Sequence, residues 1–306
     1  MARLRVGVFV IAYNAVRHLI RTIERIPPQV MAEVEEIFVI DDASSDNTYY
    51  AALGYKHERG LDKLTVFRNA ANQGYGGNQK VGYRYALSRG HDVVVMLHGD
   101  GQYAPEALPL LLEPFQRGEA DLVFGSRMSR PGQALRGGMP LYKYMGNRVL
   151  TLAQNRLTGI GISEFHSGYR LFRTAALRQV PFESFTNQWH FDTQVLLAFH
   201  ERGLRIVERP IPTYYGDEIC HVNGVPYAMH CLATSARYWL RRRGGQLAYP
   251  GPADVPAPEG EPTPPTAAGA APGAQAPLSR ASGPSAQAPA FRAGPAEAPT
   301  EQRVAR

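Results

Sequence analysis

Short apolar runs alternate with helical patterns along the first half of the chain, and this alternation restricts the fold more than any other feature. Five runs have the length and composition of buried strands: Arg5–Ala12, Glu36–Ile40, Leu64–Arg68, Val93–Leu97 and Leu122–Gly125. Helical patterns fall between them at Val16–Arg25, Asp46–Gly54, Gly77–Arg89 and Pro105–Arg117. The order predicts an α/β fold with a mostly parallel sheet flanked by helices. Ligands of such sheets bind at the carboxyl ends of the strands, so the residues after each run are the candidate site.

The second half of the chain departs from this regular alternation. A segment rich in Arg, Gly and Pro predicts a mobile loop at Arg127–Gly138. Beyond it, helices are expected at Leu141–Leu157, Phe191–Arg202 and Tyr227–Arg243, and short strands at Gly168–Arg173 and Leu204–Glu208.

Composition divides the chain into a folded body, residues 1–249, and a tail, residues 250–306. The tail is mostly Ala, Pro, Gly, Ser and Glu, and its only aromatic residue is Phe291. Because such a segment buries too little apolar surface to offset the entropy of ordering it, we expect the tail to be disordered.

The charge balance indicates the kind of partner. The formal net charge is +6, and the tail contributes −1 through four Arg and five acidic residues, so the body carries +7. A basic body predicts an anionic partner such as a nucleotide, a phosphate or a membrane surface. The basic residues are scattered, so we expect no nucleic-acid partner. Two cysteines, the lack of a signal-peptide pattern and the absence of an apolar run near ~20 residues together predict a cytoplasmic protein.

Polar residues follow the first two predicted strands. The first ends in Ala12-Tyr13-Asn14, and the second runs into two adjacent carboxylates, Asp41 and Asp42. A carboxylate at a strand tip can accept a hydrogen bond from a ribose hydroxyl or a base N–H. The residues that follow, Ser45, Asp46 and Thr48, are better explained as caps of the next helix.

The third and fourth strand ends carry a different chemistry. Asn72 and Gly74 lead into a glycine-rich helix start, where backbone can approach an anion closely. After the fourth strand, His98, Asp100 and Gln102 alternate, so an extended chain would present all three on one face. Imidazole, carboxylate and amide oxygen are suitable ligands for Mg²⁺ or Mn²⁺. A polar turn that caps the following helix is the simpler alternative.

Taken in order, these segments resemble glycosyltransferase family 2, whose members have the GT-A fold. The resemblance covers roughly residues 6–212 and depends on AYN, DDASSDNT, NQGYGGNQKVG, DGQ, FGSR, SEFHSGYRLF and FDTQVL. Within the family, the chain is most similar to polyprenyl-phosphate and dolichyl-phosphate sugar transferases. The resemblance implies a GT-A-type, Rossmann-like sheet and an inverting transfer of a sugar from a nucleotide-sugar donor.

The resemblance also implies roles for individual residues. The nucleoside would be held by Ala12, Asn14, Asp41 and Asp42, beside Asn72 and Gly74, and a divalent metal at His98, Asp100 and Gln102 would hold the diphosphate. Phosphate groups of donor or acceptor would meet Arg127 and Arg148. Arg170 would organise the acceptor loop or form an ion pair with Glu164. Asp192 would be the catalytic base for a hydroxyl acceptor or a helix cap, and Asp100 and Arg127 would complete the catalytic set.

The sequence departs from the family pattern at His98, where the usual motif has an aspartate. A neutral imidazole removes one negative charge, which should weaken binding of a hard ion such as Mg²⁺. We expect altered metal binding. The alternative is a catalytically impaired protein that binds nucleotide sugars or has a regulatory role.

The acceptor is left open by the sequence. A polyprenyl phosphate fits the resemblance, and a saccharide or another small-molecule hydroxyl is the alternative. The cations of Tyr227–Arg243 predict either peripheral contact with the inner face of an anionic membrane or favourable charges at a helix end.

Overall fold

The computed structural model describes residues 3–212, 215 and 223–249. These residues form a mixed sheet of seven strands. The strands are β1 (Val6–Ala12), β2 (Glu36–Asp41), β3 (Leu64–Arg68), β4 (Val93–His98), β5 (Leu122–Ser126), β6 (Arg170–Arg173) and β7 (Ile206–Pro210). Each predicted strand is present, and its observed bounds differ from the expected ones by at most two residues at either end.

The strand order is β3-β2-β1-β4-β6-β5-β7. All neighbouring strands are parallel except that β6 runs antiparallel to both β4 and β5. The register pairs Ala12 with Asp41 and Ile11 with His98, so the ends of β1, β2 and β4 lie level. The polar residues after these three strands therefore meet at one edge of the sheet, as parallel strands require.

Helices cover both faces of the sheet. They are α1 (Leu19–Glu24), α2 (Pro28–Glu33), α3 (Thr48–Arg59), α4 (Gly74–Ser88), α5 (Leu108–Gln116), α6 (Gln133–Arg136), α7 (Leu141–Thr158), α8 (Thr174–Leu177), α9 (Phe191–Glu201) and α10 (Gly224–Arg243). Successive side chains of β1 point to opposite faces. Val8 and Val10 join the core that includes α1 and α5, whereas Phe9 joins the core that includes α4 and α9. The expected α/β architecture is confirmed.

One loop prediction was wrong in part. The segment predicted as a mobile loop, Arg127–Gly138, contains the short helix α6. That helix begins after Gly132, whose φ is +70°, and it buries Ala134 against Met128 and Met139. The Arg- and Gly-rich composition hid this small apolar cluster.

Two further predictions concern the C-terminal tail and the absence of a membrane-spanning helix. The tail, residues 250–306, lies outside the described residues, so its disorder and the domain boundary at residue 249 stay predictions. In the ranges that are described, no helix is both long enough and apolar enough to cross a bilayer.

Candidate active site

A cavity of about 790 Å³ opens at the carboxyl ends of β1, β2 and β4. Six residues predicted from the sequence line it: Asn14, Asp42, Asn72, Gly74, His98 and Asp100. Other lining side chains include Arg17, His18, Tyr75, Gln188 and Trp189. The strand tips thus converge on one pocket with both carboxylates and cations in its wall.

The tips of β1 and β2 are joined by the backbone. Asp42 N–H donates to the carbonyl of Ala12 at 2.9 Å, and Asn14 N–H donates to Ser44 Oγ at 2.8 Å. Asn14 has a φ of +50°, a left-handed conformation that Asn tolerates better than most residues. Its Oδ1 accepts from the backbone N–H of Ser45 at 3.0 Å. Ala12 itself is buried and contributes backbone rather than cavity wall.

The adjacent carboxylates Asp41 and Asp42 have different surroundings. Asp42 lines the cavity, and its Oδ1 accepts from Asn69 Nδ2 and from the backbone N–H of Gln73, both at 2.8 Å. Asp41 does not line the cavity; it accepts from Ser44 and lies 3.4 Å from Arg68 Nε. Burial raises the pKa of both carboxyls, against the hydrogen bonds that lower it. Only Asp42 is therefore placed to contact a ligand.

Asn72 and Gly74 form the turn that begins α4. Asn72 Nδ2 donates to the carbonyl of Asp42 at 3.2 Å, and its Oδ1 accepts from Gly74 N–H at 2.9 Å. Gly74 has a φ of +76°, and a Cβ there would lie 2.9 Å from the carbonyl oxygen of Asn187. The positive φ and this close approach both require glycine, which lets the loop before α9 pack against the start of α4.

His98 and Asp100 form the metal-type motif after β4. His98 Nδ1 lies 3.9 Å from Asp100 Oδ2. Burial raises the pKa of the Asp100 carboxyl, but hydrogen bonding and charge from His98 and the backbone N–H of Gln102 outweigh it, so the net pKa is lowered. Gln102 acts here through its backbone, which donates to Asp100 Oδ1 at 2.9 Å, and its side chain does not line the cavity.

The hydrogen bonds of Tyr75 fix the orientation of the His98 ring. The Tyr75 hydroxyl donates to Asp192 Oδ2 at 2.8 Å and lies 3.2 Å from His98 Nε2. A tyrosine has one hydroxyl proton, and a carboxylate can only accept, so His98 Nε2–H must be the donor to the Tyr75 oxygen. The other ring nitrogen, Nδ1, then faces Asp100. This is the arrangement in which one ring nitrogen is held and the other is free to bind a metal.

Asp192 is buried at the start of α9 and does not line the cavity. Its Oδ1 accepts from Gln79 Nε2 at 3.2 Å, while Oδ2 accepts from Tyr75 and lies 3.9 Å from Arg170 Nε. No side chain caps α9, so the helix-cap alternative for Asp192 is wrong. Arg170 is fully buried and donates to the carbonyls of Phe165 and Asp192 at 2.8 and 2.9 Å. It holds the loop before β6 against α9 and does not line the cavity.

Arg127 is buried in an ion pair with Glu164. Its Nε donates to Glu164 Oε1 at 2.8 Å, and its Nη1 donates to the Tyr215 hydroxyl at 3.0 Å. Burial lowers the pKa of Arg127, yet the Glu164 charge reverses this and raises it well above the usual value. Glu164 is thus paired with Arg127 and not with Arg170, the pairing considered from the sequence, and Arg127 does not line the cavity.

The loop that carries Glu164 also reaches the metal-type motif. A Cβ at Gly168 would lie 2.5 Å from His98 Nε2 and 2.8 Å from the Tyr75 hydroxyl, so a larger residue cannot fit there without displacing the ring. Gly168 N–H donates to the Tyr103 hydroxyl at 2.7 Å, and Tyr103 packs edge-on against His98 at 4.9 Å. Gly168 is therefore part of the site, although sequence reasoning did not select it.

Sequence reasoning also missed several side chains in the cavity wall. Arg17 and His18 lie just after the first strand tip, and Trp189 stacks on Tyr75 with ring centroids 4.6 Å apart. The available signals were the position of Arg17 and His18 beside Asn14 and the rarity of tryptophan, of which the chain has two. Arg148, predicted to meet phosphate, is exposed on α7 and does not line the cavity.

This sheet order and this pocket define the GT-A class of α/β proteins. Solved structures share the fold. One is glucosyl-3-phosphoglycerate synthase from Mycobacterium tuberculosis in complex with Mn²⁺, uridine-diphosphate-glucose and phosphoglyceric acid, with a TM-score of 0.55, 18% identity and coverage of 79% of this chain and 80% of that chain.

The family model described as glycosyl transferase family 2 matches residues 7–180. Undecaprenyl-phosphate mannosyltransferase from Micrococcus luteus is 30% identical over 211 residues, which cover 68% of this chain and 83% of that protein. Polyprenol monophosphomannose synthase from Mycolicibacterium smegmatis is 30% identical over 179 residues, 57% of this chain and 65% of that protein. The chain belongs to glycosyl transferase family 2 and is a glycosyltransferase. The expected family and enzyme class are confirmed.

Proposed function

We propose that the protein transfers a sugar from a nucleotide-sugar donor to a polyprenyl phosphate, with inversion at the anomeric carbon. The observation that carries this proposal is the 790 Å³ cavity, where Asp42 and Asn14 face His98 and Asp100. In this proposal Asp42, Asn14 and Asn72 contact the nucleoside, and the diphosphate lies toward His98 and Asp100. The names of the relatives support a lipid-phosphate acceptor.

The donor set at the end of β4 fits a divalent metal. His98 Nδ1 and Asp100 Oδ2 lie 3.9 Å apart and are the two side-chain atoms that would hold the cation. Among the described residues no group of three His, Cys, Asp or Glu forms a complete metal site, so the donor diphosphate and water would supply further ligands. Because an imidazole nitrogen suits transition metals better than Mg²⁺, we propose Mn²⁺ as the preferred ion. When bound, it neutralises charge on the leaving diphosphate.

In the proposed reaction, a phosphate oxygen of the acceptor attacks the anomeric carbon as the bond to the leaving diphosphate breaks. Arg17 and His18 lie in the cavity wall and can stabilise the developing negative charge. Asp100 and His98 would hold the metal that neutralises the leaving diphosphate, and Tyr75 holds His98. Arg127 keeps the acceptor loop in place through Glu164, because its guanidinium is already occupied by protein groups.

The environment of Asp192 favours a phosphate acceptor over a hydroxyl acceptor. Both of its carboxylate oxygens already accept hydrogen bonds, from Tyr75 and Gln79, and the group is buried behind Tyr75. A hydroxyl acceptor needs a base to remove its proton, whereas a lipid phosphate is already an anion. We therefore propose that Asp192 positions Tyr75 and His98 and does not act as a base.

A lipid acceptor also requires contact with a membrane, and two packed helices are suited to it. Five large apolar side chains of α7 are at least half exposed and lie within one face of the helix: Leu141, Tyr142, Met145, Val149 and Leu152. The two helices α7 and α10 contain seven Lys or Arg, three in α7 and four in α10, and no Asp or Glu. Such a surface attracts anionic headgroups. We propose that the protein binds peripherally at the cytoplasmic face of a membrane. The contact would include α7 as well as α10, the helix for which the sequence predicted membrane contact.

Both helices contact the loop that carries Glu164 and His166. Asn147 of α7 donates to Glu164 Oε1 at 2.8 Å, and the Tyr227 hydroxyl of α10 lies 3.0 Å from His166 Nδ1. Arg148, exposed next to Asn147, is the cation proposed to meet the acceptor phosphate.

A transfer assay tests the proposal. The protein with Mn²⁺ and a panel of labelled nucleotide sugars is offered polyprenyl phosphate in one series and hydroxyl acceptors in the other. We expect label in the lipid fraction only, and Asp100→Asn should reduce it by at least a hundredfold, while Asp62→Asn on the surface should leave it unchanged. Label in hydroxyl products would overturn the lipid-phosphate proposal. Tight binding without turnover on any acceptor would restore the impaired-protein alternative, which the family match does not favour.

A further inference from the structure

A second cavity, of about 390 Å³, lies between the ends of α7, α9 and α10. Its wall contains three arginines together with His200, Tyr238 and Trp239, and no carboxylate. The arginines come from two different helices: Arg156 from α7, and Arg242 and Arg243 from α10.

Within the described residues, no acid forms an ion pair with the three arginines of this cavity. Glu201 follows His200 in the chain, but its carboxylate accepts from the backbone N–H groups of Ala248 and Tyr249, at 2.7 and 2.8 Å, and does not line the cavity. The charge is therefore available to a ligand.

A favourable interaction with helix ends does not account for this arrangement. Cations are stabilised near a helix C-terminus, which explains one arginine at the end of each helix. It does not explain why arginines of separate helices line one cavity together with Tyr238 and Trp239. Arg243 also lies over the Trp239 ring, 4.6 Å from its centroid, which fixes the guanidinium at the cavity wall.

The second cavity is separate from the donor cavity. His200 lies in the last turn of α9 and Asp192 in the first, about 12 Å apart along the helix axis at about 1.5 Å per residue. The two cavities share no lining residue. The inference below therefore does not depend on the function proposed for the donor cavity.

We propose that the second cavity is an anion site that binds a phosphate group, carried either by a soluble compound or by a phospholipid headgroup. Arginine makes paired hydrogen bonds to phosphate oxygens, and two or three guanidinium groups can surround one phosphate. Leu240 and Leu152, both exposed on the helices that form the cavity, would favour the headgroup as the source.

Fluorescence of Trp239 provides a direct test. The chain has two tryptophans, and Trp189 lines the donor cavity, so Trp189→Phe leaves Trp239 as the only tryptophan. The full-length variant is titrated with pyrophosphate without metal, and separately with phosphatidylglycerol or phosphatidylcholine vesicles. Arg156→Gln with Arg242→Gln removes two cavity cations. Arg237→Gln with Arg241→Gln removes the same charge from α10 outside the cavity and is the matched control.

We expect a saturable change in Trp239 fluorescence with pyrophosphate that the cavity pair of substitutions weakens at least tenfold and the control pair less than twofold. With phosphatidylglycerol vesicles both pairs should weaken the response, the cavity pair more than the control pair, because every cation of α10 attracts the membrane. A response to pyrophosphate without a response to phosphatidylglycerol vesicles assigns a soluble phosphate ligand, and a response to the vesicles, with or without one to pyrophosphate, assigns a headgroup. Thermal melting of both double variants checks that they fold. No saturable response to either probe, or equal losses in the two double variants, would overturn the proposal.

Discussion

Removal of the Tyr75 hydroxyl separates the structural role of this residue from its role at the metal motif. Tyr75→Phe keeps the ring that stacks on Trp189 but deletes the donor to the buried Asp192 carboxylate at 2.8 Å and the acceptor for His98 Nε2 at 3.2 Å. A hydrogen bond to a charged group contributes about 1.5–3 kcal/mol, so we expect the free energy of unfolding to fall by about that amount. Urea denaturation measures it.

The same substitution should weaken metal use. Without the Tyr75 oxygen, His98 Nε2–H loses its hydrogen-bond acceptor, and ring packing such as that against Tyr103 is left to hold the ring with Nδ1 toward Asp100. Loss of such an outer partner lowers metal affinity by roughly 10- to 100-fold. We therefore expect the Mn²⁺ concentration for half-maximal transfer to rise by that factor, with the rate at saturating Mn²⁺ less affected.

A matched control is available on α3. Tyr50→Phe removes a hydroxyl from a tyrosine that is 61% exposed, and it should change neither stability nor Mn²⁺ dependence. If Tyr75→Phe lowers stability while its Mn²⁺ half-saturation stays within twofold of the wild type, then Tyr75 is only structural, and the assignment of His98 as a metal ligand is refuted.

Three further predictions concern His98 and the acceptor loop. His98→Asp restores a second carboxylate beside Asp100, so activity with Mg²⁺ should rise relative to Mn²⁺ in parallel assays, and an unchanged ratio would contradict metal binding at His98. Gly168→Ala places a Cβ 2.5 Å from His98 Nε2; transfer should fall at least tenfold with near-native circular dichroism, whereas full activity would show that the ring can move. Glu164→Gln breaks a buried pair with Arg127, at a cost of about 3–5 kcal/mol by urea denaturation. Burial raises the pKa of Glu164, but Arg127 lowers it, and the net pKa lies below the usual 4.5. The ion pair therefore stabilises the protein fully above pH 4.5, and this stabilisation is lost as the pH falls through the lowered pKa. The Glu164→Gln variant should lack this loss of stability in acid.

Much of the fold was readable because its signals are local. Each buried strand is a short apolar run, which a local pattern predicts well. Helix ends were less readable: the helix predicted to end at Gly54 continues to Arg59, and Gly60 is its C-cap. The polar tips at Asn14, Asp42 and Asp100 follow directly from where those runs stop. The antiparallel direction of β6 and the short helix α6 had no comparable local signal, since each depends on contacts with distant segments.

The candidate site was readable only in part, because adjacent residues in a sequence can face different surroundings. Asp41 and Asp42 are neighbours and both carboxylates, yet the alternation at the end of β2 directs one into contacts with Ser44 and Arg68 and the other into the cavity. Likewise, a sequence motif identifies Arg127 but cannot say that Glu164, 37 residues away, occupies its guanidinium.

The sequence by itself determined the alternation of strands and helices, the end of the sheet that carries the site, and the family, because these depend on the order and spacing of residues along the chain. Only the tertiary structure decided which polar side chains share a cavity, that Tyr75 links His98 to Asp192, and that arginines of α7 and α10 face a second cavity. Those are pairings between residues far apart in sequence, fixed by the packing of elements whose relative positions no local pattern encodes.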